Sequence, residues 1–274
     1  MSDTPTPSPI PLCGLGTFGL TGDVGIAAIL SAMEIGYRHL DTAQSYGTEA
    51  SVAAALRRSG LPRREFFVTT KVADTHLDRA HFLPSVEISL ETLGLDQIDL
   101  LLIHWPSKDE KVPFEHYMLA LAEAQSRGLA RLIGVSNFPV ALLERARVLL
   151  GDAALATNQV ELHPYLQAPV LRDYARQRDL MLTAYQPLNK GAVDQDPVLT
   201  EIAQLHGVSA ATIALAFLMA EGHAVIPGSV KTSHLKANFA ACKVQLSGTE
   251  LSRIRSLNRD QRRINPDKSP RWDD

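Results

Sequence analysis

The sequence predicts an α/β fold, a (β/α)8 TIM barrel with its active site at the carboxyl ends of the strands, and three observations carry that prediction. Eight apolar runs of β type alternate with longer segments of helical period, which specifies a parallel sheet covered by helices. No composition break or long linker divides the 274 residues, and one barrel commonly takes about 250. Several runs also end in an ionisable residue, and parallel barrels build their active sites from strand carboxyl ends. A single domain over 1–274 is expected.

Residues 1–9 are rich in Pro, Ser and Thr and should form a flexible tail. The first run, Leu12–Phe18, contains Gly14-Leu15-Gly16-Thr17-Phe18-Gly19, a match to the dinucleotide fingerprint G-x-G-x-x-G with Asp41 downstream. That fingerprint needs a hydrophobic strand before the first glycine and a helix opening at the last. Here Pro5, Pro7, Pro9 and Pro11 precede it and Thr21-Gly22-Asp23 follow it, so the Rossmann reading fails. The glycines are read instead as permitting a tight first strand and a close backbone approach to a ligand.

The remaining runs are Arg38–Asp41, Phe66–Val72, Ile98–His104, Leu132–Ser136, Ala156–Leu162, Met181–Tyr185 and Ala224–Pro227. Pro139 and Pro197 stand where a first helical residue is expected, and Ser247 with Glu250 makes a capping box before Leu251–Leu257. Gly36, Gly60, Gly128 and Gly207 fall where helices should end. The last segment, 258–274, is polar and holds two prolines, which predicts a tail folded over the barrel. Its neighbourhood carries Arg253, Arg255, Arg259, Arg262 and Arg263, read as a solvated helix face rather than a binding patch.

Hydrophobic content of 45%, charged content of 21% and a net charge of −3 describe an ordinary globular protein and imply no nucleic-acid partner. Cys13 and Cys242 are too few for a disulfide framework and have no metal-ligand spacing, so both are read as packing residues and no metal is expected. The N-terminus lacks a basic n-region and an apolar h-region, and no stretch reaches the ~18 apolar residues of a membrane span. A cytoplasmic protein with no membrane partner is the expectation.

Three runs place unlike chemical groups at strand ends: Tyr37-Arg38-His39-Leu40-Asp41 with Tyr46 just after it, Phe67-Val68-Thr69-Thr70-Lys71, and Asp99 to His104. Taken singly, each has an ordinary explanation: an Asp caps a helix, a Lys pairs with a carboxylate, a Tyr packs, a His satisfies a polar neighbour. Together they suit carbonyl reduction by hydride. A tyrosine of ordinary pKa ~10 is a sluggish proton donor unless its environment favours loss of the proton. A Lys ammonium would lower that pKa, a carboxylate would hold the Lys, and a histidine could donate to the carbonyl oxygen. Two other readings use the same residues: a lyase in which Lys71 forms a Schiff base, which pairing with Asp41 opposes, and a nicotinamide-binding sensor without turnover.

These residues also carry a resemblance. Tyr37 to Ala43 with Tyr46-Gly47-Thr48-Glu49, Thr70-Lys71, Leu102-Ile103-His104-Trp105-Pro106, Ile133-Gly134-Val135-Ser136-Asn137-Phe138 and Asn158 to Tyr165 resemble the aldo-keto reductase family, in order and over nearly the whole chain. The resemblance implies a catalytic tetrad of Asp41, Tyr46, Lys71 and His104, with Tyr46 as general acid. It implies a nicotinamide cofactor across the barrel mouth: Gly16, Thr17 and Asp41 flank the nicotinamide, Ser136, Asn137 and Gln159 hold its carboxamide, and Tyr185 stacks on the ring. Pro187, Leu188, Ile226 and Asn238 belong to the same implied cofactor site. Within the family, the short loops after Tyr185 and the C-terminal Ser269-Pro270-Arg271-Trp272-Asp273 resemble bacterial 2,5-diketo-D-gluconate reductases, especially the B type. Small carbonyl substrates such as 2,5-diketo-D-gluconate or methylglyoxal are therefore implied, with Phe18, Tyr46, His104, Trp105 and Trp272 lining the pocket. The family is often monomeric, so a monomer is expected.

One segment departs from the family's pattern. The family usually reads Ile-Pro-Lys-Ser with an Arg six residues after that Lys, and the two cations hold the 2′-phosphate of NADP. This chain has Ile226-Pro227-Gly228-Ser229 and His234. Ser229, Lys231, His234 and a helix opening near Thr232 still make a plausible anion site. NADPH is expected to bind, with NADH accepted unusually well. Ala237 replaces a usual Glu that contacts the adenine, and Gln186 stands where Ser is common.

Overall fold

The structure is a computed structural model, and it describes residues 10–151 and 155–273. Eight strands pair in parallel in chain order: β1 (Gly14–Gly16), β2 (His39–Asp41), β3 (Phe67–Val72), β4 (Ile98–Ile103), β5 (Ala130–Ser136), β6 (Leu155–Glu161), β7 (Met181–Tyr185) and β8 (Ala224–Val225). Each overlaps an expected run, β5 beginning two residues and β6 one residue before theirs. β1 and β8 are shorter than their runs, because beyond the regular ladder they close the barrel through single bonds. Val225 N–H donates to Leu12 O at 2.7 Å, and Gly16 N–H to Pro227 O at 3.2 Å. Glycine is required at this seam: a Cβ on Gly16 would stand 2.6 Å from Ile226 O. The tight first strand is therefore real, and its glycines serve barrel closure.

The helices are α1 (Gly22–Ile35), α2 (Glu49–Arg58), α3 (Phe82–Leu93), α4 (Phe114–Ser126), α5 (Val140–Leu150), α6 (Pro169–Arg176), α7 (Pro197–His206), α8 (Ala210–Ala220), α9 (Thr232–Ala240) and α10 (Gly248–Arg255). Pro197 opens α7, and the Asp196 carboxylate before it accepts from Val198 and Leu199 N–H. Pro139, by contrast, precedes α5 instead of opening it. The capping box of Ser247 and Glu250 forms as expected. Gly36 and Gly207 cap α1 and α7 with positive φ, while Gly60 and Gly128 take positive φ one residue beyond the caps of α2 and α4. Among the described residues, no single helix is long and apolar enough to cross a membrane; the apolar pair α7 and α8 is bent by 91°.

Inside the barrel, Ile10, Phe67, Leu100, Leu102 and Ala224 form an apolar floor, with Leu132, Ala156 and Met181 against it. A large apolar side chain contributes roughly 1.5–3 kcal/mol when fully buried. Beside and above this floor the interior turns polar: His39, level with Phe67, and Asp41, Thr69, Lys71, Thr157, Gln159 and Thr183 are all buried. A charge there must be paired, which is what makes the upper half of the barrel chemically specific.

The segment after α10 packs against loops that follow the strand ends. The Glu161 carboxylate accepts from Arg263 and Ile264 N–H at 2.9 and 2.7 Å, Lys268 pairs with Asp74 at 2.6 Å, and Asp273 accepts from Val140 N–H at 2.8 Å. The arginine cluster is not one solvated helix face. Only Arg253 and Arg255 are on α10, paired with Glu201 and Glu221, whereas Arg259 lies over the Tyr165 ring and Arg262 over Trp272. The chain leaves the helix at Ser256 and its cations are used to fasten the tail.

Candidate active site

Asp41 ends β2, Lys71 lies one residue from the end of β3, and His104 follows β4, its N–H continuing the ladder to Val72 O at 3.1 Å. Tyr46 ends a single 3-10 turn, Gln44–Tyr46, placed directly after β2. Parallel registration brings these strand ends to one side of the barrel. Lys71 Nζ forms an ion pair with Asp41 Oδ1 and donates to Thr42 O at 2.9 Å; the two side chains are 0% and 1% exposed. The ammonium also sits 4.9 Å from the Tyr46 ring centroid, close enough for its charge to act on the phenol. Tyr46 meets His104 edge-on at 5.3 Å and Phe18 at 5.1 Å.

The electrostatics of this cluster are set by burial. Burial pushes the Tyr46 phenol above its ordinary value, and the Lys71 ammonium opposes that rise without reversing it. The expected net lowering by Lys71 is therefore absent in the protein alone, and Tyr46 keeps its proton at neutral pH. Burial disfavours charge on Lys71, but Asp41 and Tyr46 outweigh it and hold the Lys71 pKa above the usual lysine value. A charged amine is no nucleophile, so the Schiff-base reading loses its chemistry. Burial, reinforced by Lys71 and Lys268, pulls His104 down to about 3, which leaves a neutral imidazole. The Ser45 hydroxyl is 3.2 Å from His104 Nδ1 and can donate to it, which would keep the ring proton on Nε2.

A second set of residues ties the strand ends together. Gln159 Nε2 donates to Asp41 Oδ2 at 2.7 Å, Ser136 Oγ to Gln159 O at 2.7 Å, Asn137 Nδ2 to His104 O at 2.9 Å, and Tyr185 Oη to Asn137 Oδ1 at 2.7 Å. Gln159 reaches Asp41 because the register between β5 and β6 shifts: Ile133 faces Leu155, yet Val135 faces Asn158. One extra residue in β6 re-aims the side chains beyond it, as β-bulges do near active sites. Asn137 holds φ of +64°, which Asn tolerates, and its three side-chain bonds lock it there. Ser136, Asn137, Gln159 and Tyr185 thus form one network.

Thr17 is buried, its Oγ1 donating to Asp41 O at 2.9 Å. Pro187 and Ile226 are buried and Leu188 is half-buried at the ends of β7 and β8. Lys231 and His234 are exposed at the opening of α9, Ser229 is half-buried, and the first turn has no side-chain cap. Free first-turn N–H groups beside a lysine and a histidine suit a phosphate. Asn238 is 2% exposed, so α9 turns it inward, away from the face that carries those cations. Gly228 is exposed, but a Cβ there would stand 2.6 Å from Gly16 O. The barrel seam therefore favours glycine at this position.

Around Tyr46 and His104 lie Phe18, which is 75% exposed, and buried Trp105, whose ring meets Trp272 edge-on at 6.2 Å. Three contributors had no signal in the expected motifs: Ser45 on His104, Thr42 O on Lys71, and Lys268, whose Nζ is 5.8 Å from the Trp105 ring. A separate cavity of about 480 Å³, lined by Leu56, Leu61, Phe66, Leu93 and Asp99, involves α2, α3 and the starts of β3 and β4. It lies at the opposite end of the strands from the tetrad, and none of the tetrad lines it.

A sequence profile of the aldo/keto reductase family matches residues 14–259. The methylglyoxal reductase DkgB of Escherichia coli O157:H7 is 42% identical over 265 residues, covering 96% of this chain and 99% of the relative. The glyoxal reductase of Bacillus subtilis (strain 168) is 38% identical over 263 residues, covering 94% and 93%. A crystal structure described as "a putative 2,5-diketo-D-gluconic acid reductase B" superposes with a TM-score of 0.93 at 40% identity, covering 97% of this chain and 94% of that one.

Proposed function

The chain belongs to the aldo/keto reductase family and is an oxidoreductase of that family, and from that premise we propose that it reduces small aldehydes and ketones, such as methylglyoxal and 2,5-diketo-D-gluconate, with NADPH and also NADH. The observation that carries this reading is the buried Lys71 ammonium, held by Asp41 and 4.9 Å from the Tyr46 ring, with neutral His104 beside the same ring.

A reduced nicotinamide, when bound, supplies the hydride. The residues at the mouth fit such a group: Tyr185 is half-buried with its hydroxyl held by Asn137, leaving the ring as a stacking surface, and the α9 opening offers donors to a phosphate. Tyr46 Oη gives its proton to the developing alkoxide, and the Lys71 ammonium stabilises the phenolate left behind. Asp41 and Thr42 O fix the ammonium, and Gln159 fixes Asp41. His104 Nε2–H donates to the carbonyl oxygen and orients it. Phe18, Trp105 and Trp272 provide apolar walls for a small substrate.

Cofactor choice follows from residues 228–234. Gly228 brings no cation and His234 stands where the family usually has arginine, so the 2′-phosphate relies on Ser229, Lys231 and the α9 terminus. Replacing Gly228 by Lys would press on Gly16 O, so His234→Arg is the cleaner probe. We further read the protein as a monomeric, cytoplasmic, single-domain enzyme.

The test is the rate of NADPH and NADH consumption with each of the two substrates, for the wild type and Tyr46→Phe. Turnover that falls ~10²-fold or more in the variant, with cofactor affinity nearly unchanged, is expected for a lost general acid. Wild-type rates from Tyr46→Phe would remove Tyr46 from the mechanism, and no turnover by the wild type with either cofactor would refute the substrate class.

A further inference from the structure

Tyr46 is carried by a single 3-10 turn, Gln44–Tyr46, and such a turn is a weak support on its own because its hydrogen bonds are poorly aligned. Its N-cap, Ala43, has no side chain that could cap it, and Gly47 follows at φ of +66°. The Gln44 side chain reaches from this turn to two other elements. Its Oε1 accepts from Ala73 N–H at 2.9 Å, just beyond β3 and two residues after Lys71, and lies 3.1 Å from His76 Nδ1. Its Nε2 faces Ser85 O at 3.0 Å, Ser85 Oγ at 3.1 Å and Ser89 Oγ at 3.2 Å, all on α3. We propose that Gln44 is a positioning residue for the reaction: by tying the turn to the end of β3 and to α3, it sets the place of the Tyr46 phenol against the Lys71 ammonium. The inference rests on the reading of Tyr46 as general acid.

The orientation of the amide is fixed by its partners. Ala73 N–H can only donate and Ser85 O can only accept, so Oε1 belongs toward β3 and Nε2 toward α3. Ser85 and Ser89 are one helical turn apart on the same face of α3, and both are buried, so the amide fills a site built for it. A second bond secures the other flank of Tyr46. Glu49, the first residue of α2, accepts from Thr70 Oγ1 at 2.6 Å, and Thr70 immediately precedes Lys71. Gln44 and Glu49 therefore bracket Tyr46 in the chain, as Thr70 and Ala73 bracket Lys71, and the segments that carry acid and ammonium are pinned to each other at two points. Removing the amide takes away one pin and leaves Ala73 N–H without its acceptor, a cost that the turn relieves by shifting. A displacement of about 1 Å at a reacting group can cost about 10²-fold in rate.

The test measures initial rates with methylglyoxal and NADPH for the full-length wild type, Gln44→Met, Tyr46→Phe and the double variant. Met keeps the length of the Gln side chain while removing its amide. Gln44→Met should lower kcat about tenfold or more with KM for NADPH little changed. In the Tyr46→Phe background, where no phenolic proton is left to position, the same change should cost less than about twofold. Ser89→Ala removes one acceptor of the amide and should show the same pattern at about two- to threefold; it carries the test if Gln44→Met does not fold. Leu93→Ala separates positioning from stability, since it removes buried packing at the far end of α3 without touching the amide, and its kcat should stay near the wild-type value. Wild-type kcat in Gln44→Met, a fall that persists undiminished in Tyr46→Phe, or an equal fall in Leu93→Ala would each overturn the role of Gln44 while leaving the general acid in place. Wild-type rates from Tyr46→Phe alone would instead refute the general-acid reading, and the role of Gln44 with it.

Discussion

Replacing Lys71 by Met tests the energetics of the site separately from its chemistry. Met nearly matches the lysine stem in volume, so packing is kept while the ammonium is lost. Asp41, 1% exposed, is then left with Gln159 Nε2 as its side-chain donor, and an uncompensated buried charge costs about 3–5 kcal/mol. For a chain of this size each kcal/mol lowers Tm by about 2–4 °C, so a fall of about 10 °C is expected. Asp41→Asn alone should cost a similar amount by stranding the ammonium, but the double variant should be far less destabilised than the two singles added together. Urea unfolding of all four proteins, followed by tryptophan fluorescence, gives the coupling directly. Additivity within about 0.5 kcal/mol would mean that the two charges do not depend on each other, and the account of the tetrad's frame would be wrong. The pH window follows from the raised Lys71 pKa. A folded value above the unfolded value of ~10.4 makes the stabilisation complete below that pH and lost only as pH rises through the folded value. The coupling should therefore be the same at pH 6 and pH 8.

Other outcomes follow from the same geometry. His104 and His223 are held down to about 3 and about 4 by burial; below the unfolded value of ~6.5 the unfolded chain takes up protons that these sites refuse, so stability falls as pH drops from 6.5 toward 4 and is full above it. His223→Asn should flatten that slope, and urea midpoints from pH 4 to 7 that run parallel to the wild type would refute the assignment. His234→Arg should lower KM for NADPH about three- to tenfold with NADH little changed, since an exposed charge-assisted bond contributes only modestly; equal effects on both cofactors, measured by initial rates, would remove the α9 opening from phosphate binding. Glu161→Gln should loosen the tail that Arg263 and Ile264 N–H fasten, seen as faster proteolysis after residue 258 with β-strand circular dichroism unchanged; wild-type protection would show that the other tail contacts suffice.

What was legible in the chain and what was not divides along a physical line. Strand ends are local: a β-type run closing on Asp41, Lys71 or His104 announces both the element and the edge of the barrel at which it stops. The relation between side chains on different strands is not local. Nothing in Leu155–Glu161 as a string announces the extra residue that turns Gln159 toward Asp41, because a bulge is a property of two strands in register. The same reason explains why Ser45 and Lys268 carried no signal, since each acts across chain distances that only the closed barrel removes. Gly228 illustrates the point most sharply. Read along the sequence it is a missing cation in a phosphate clamp, whereas across the barrel seam it faces Gly16 O at a distance that excludes any side chain without a backbone shift. One residue can therefore answer to closure and, on the proposed reading, to cofactor choice together: a chain that closes its barrel with two facing glycines leaves a phosphate to the donors at the opening of α9, Lys231 foremost.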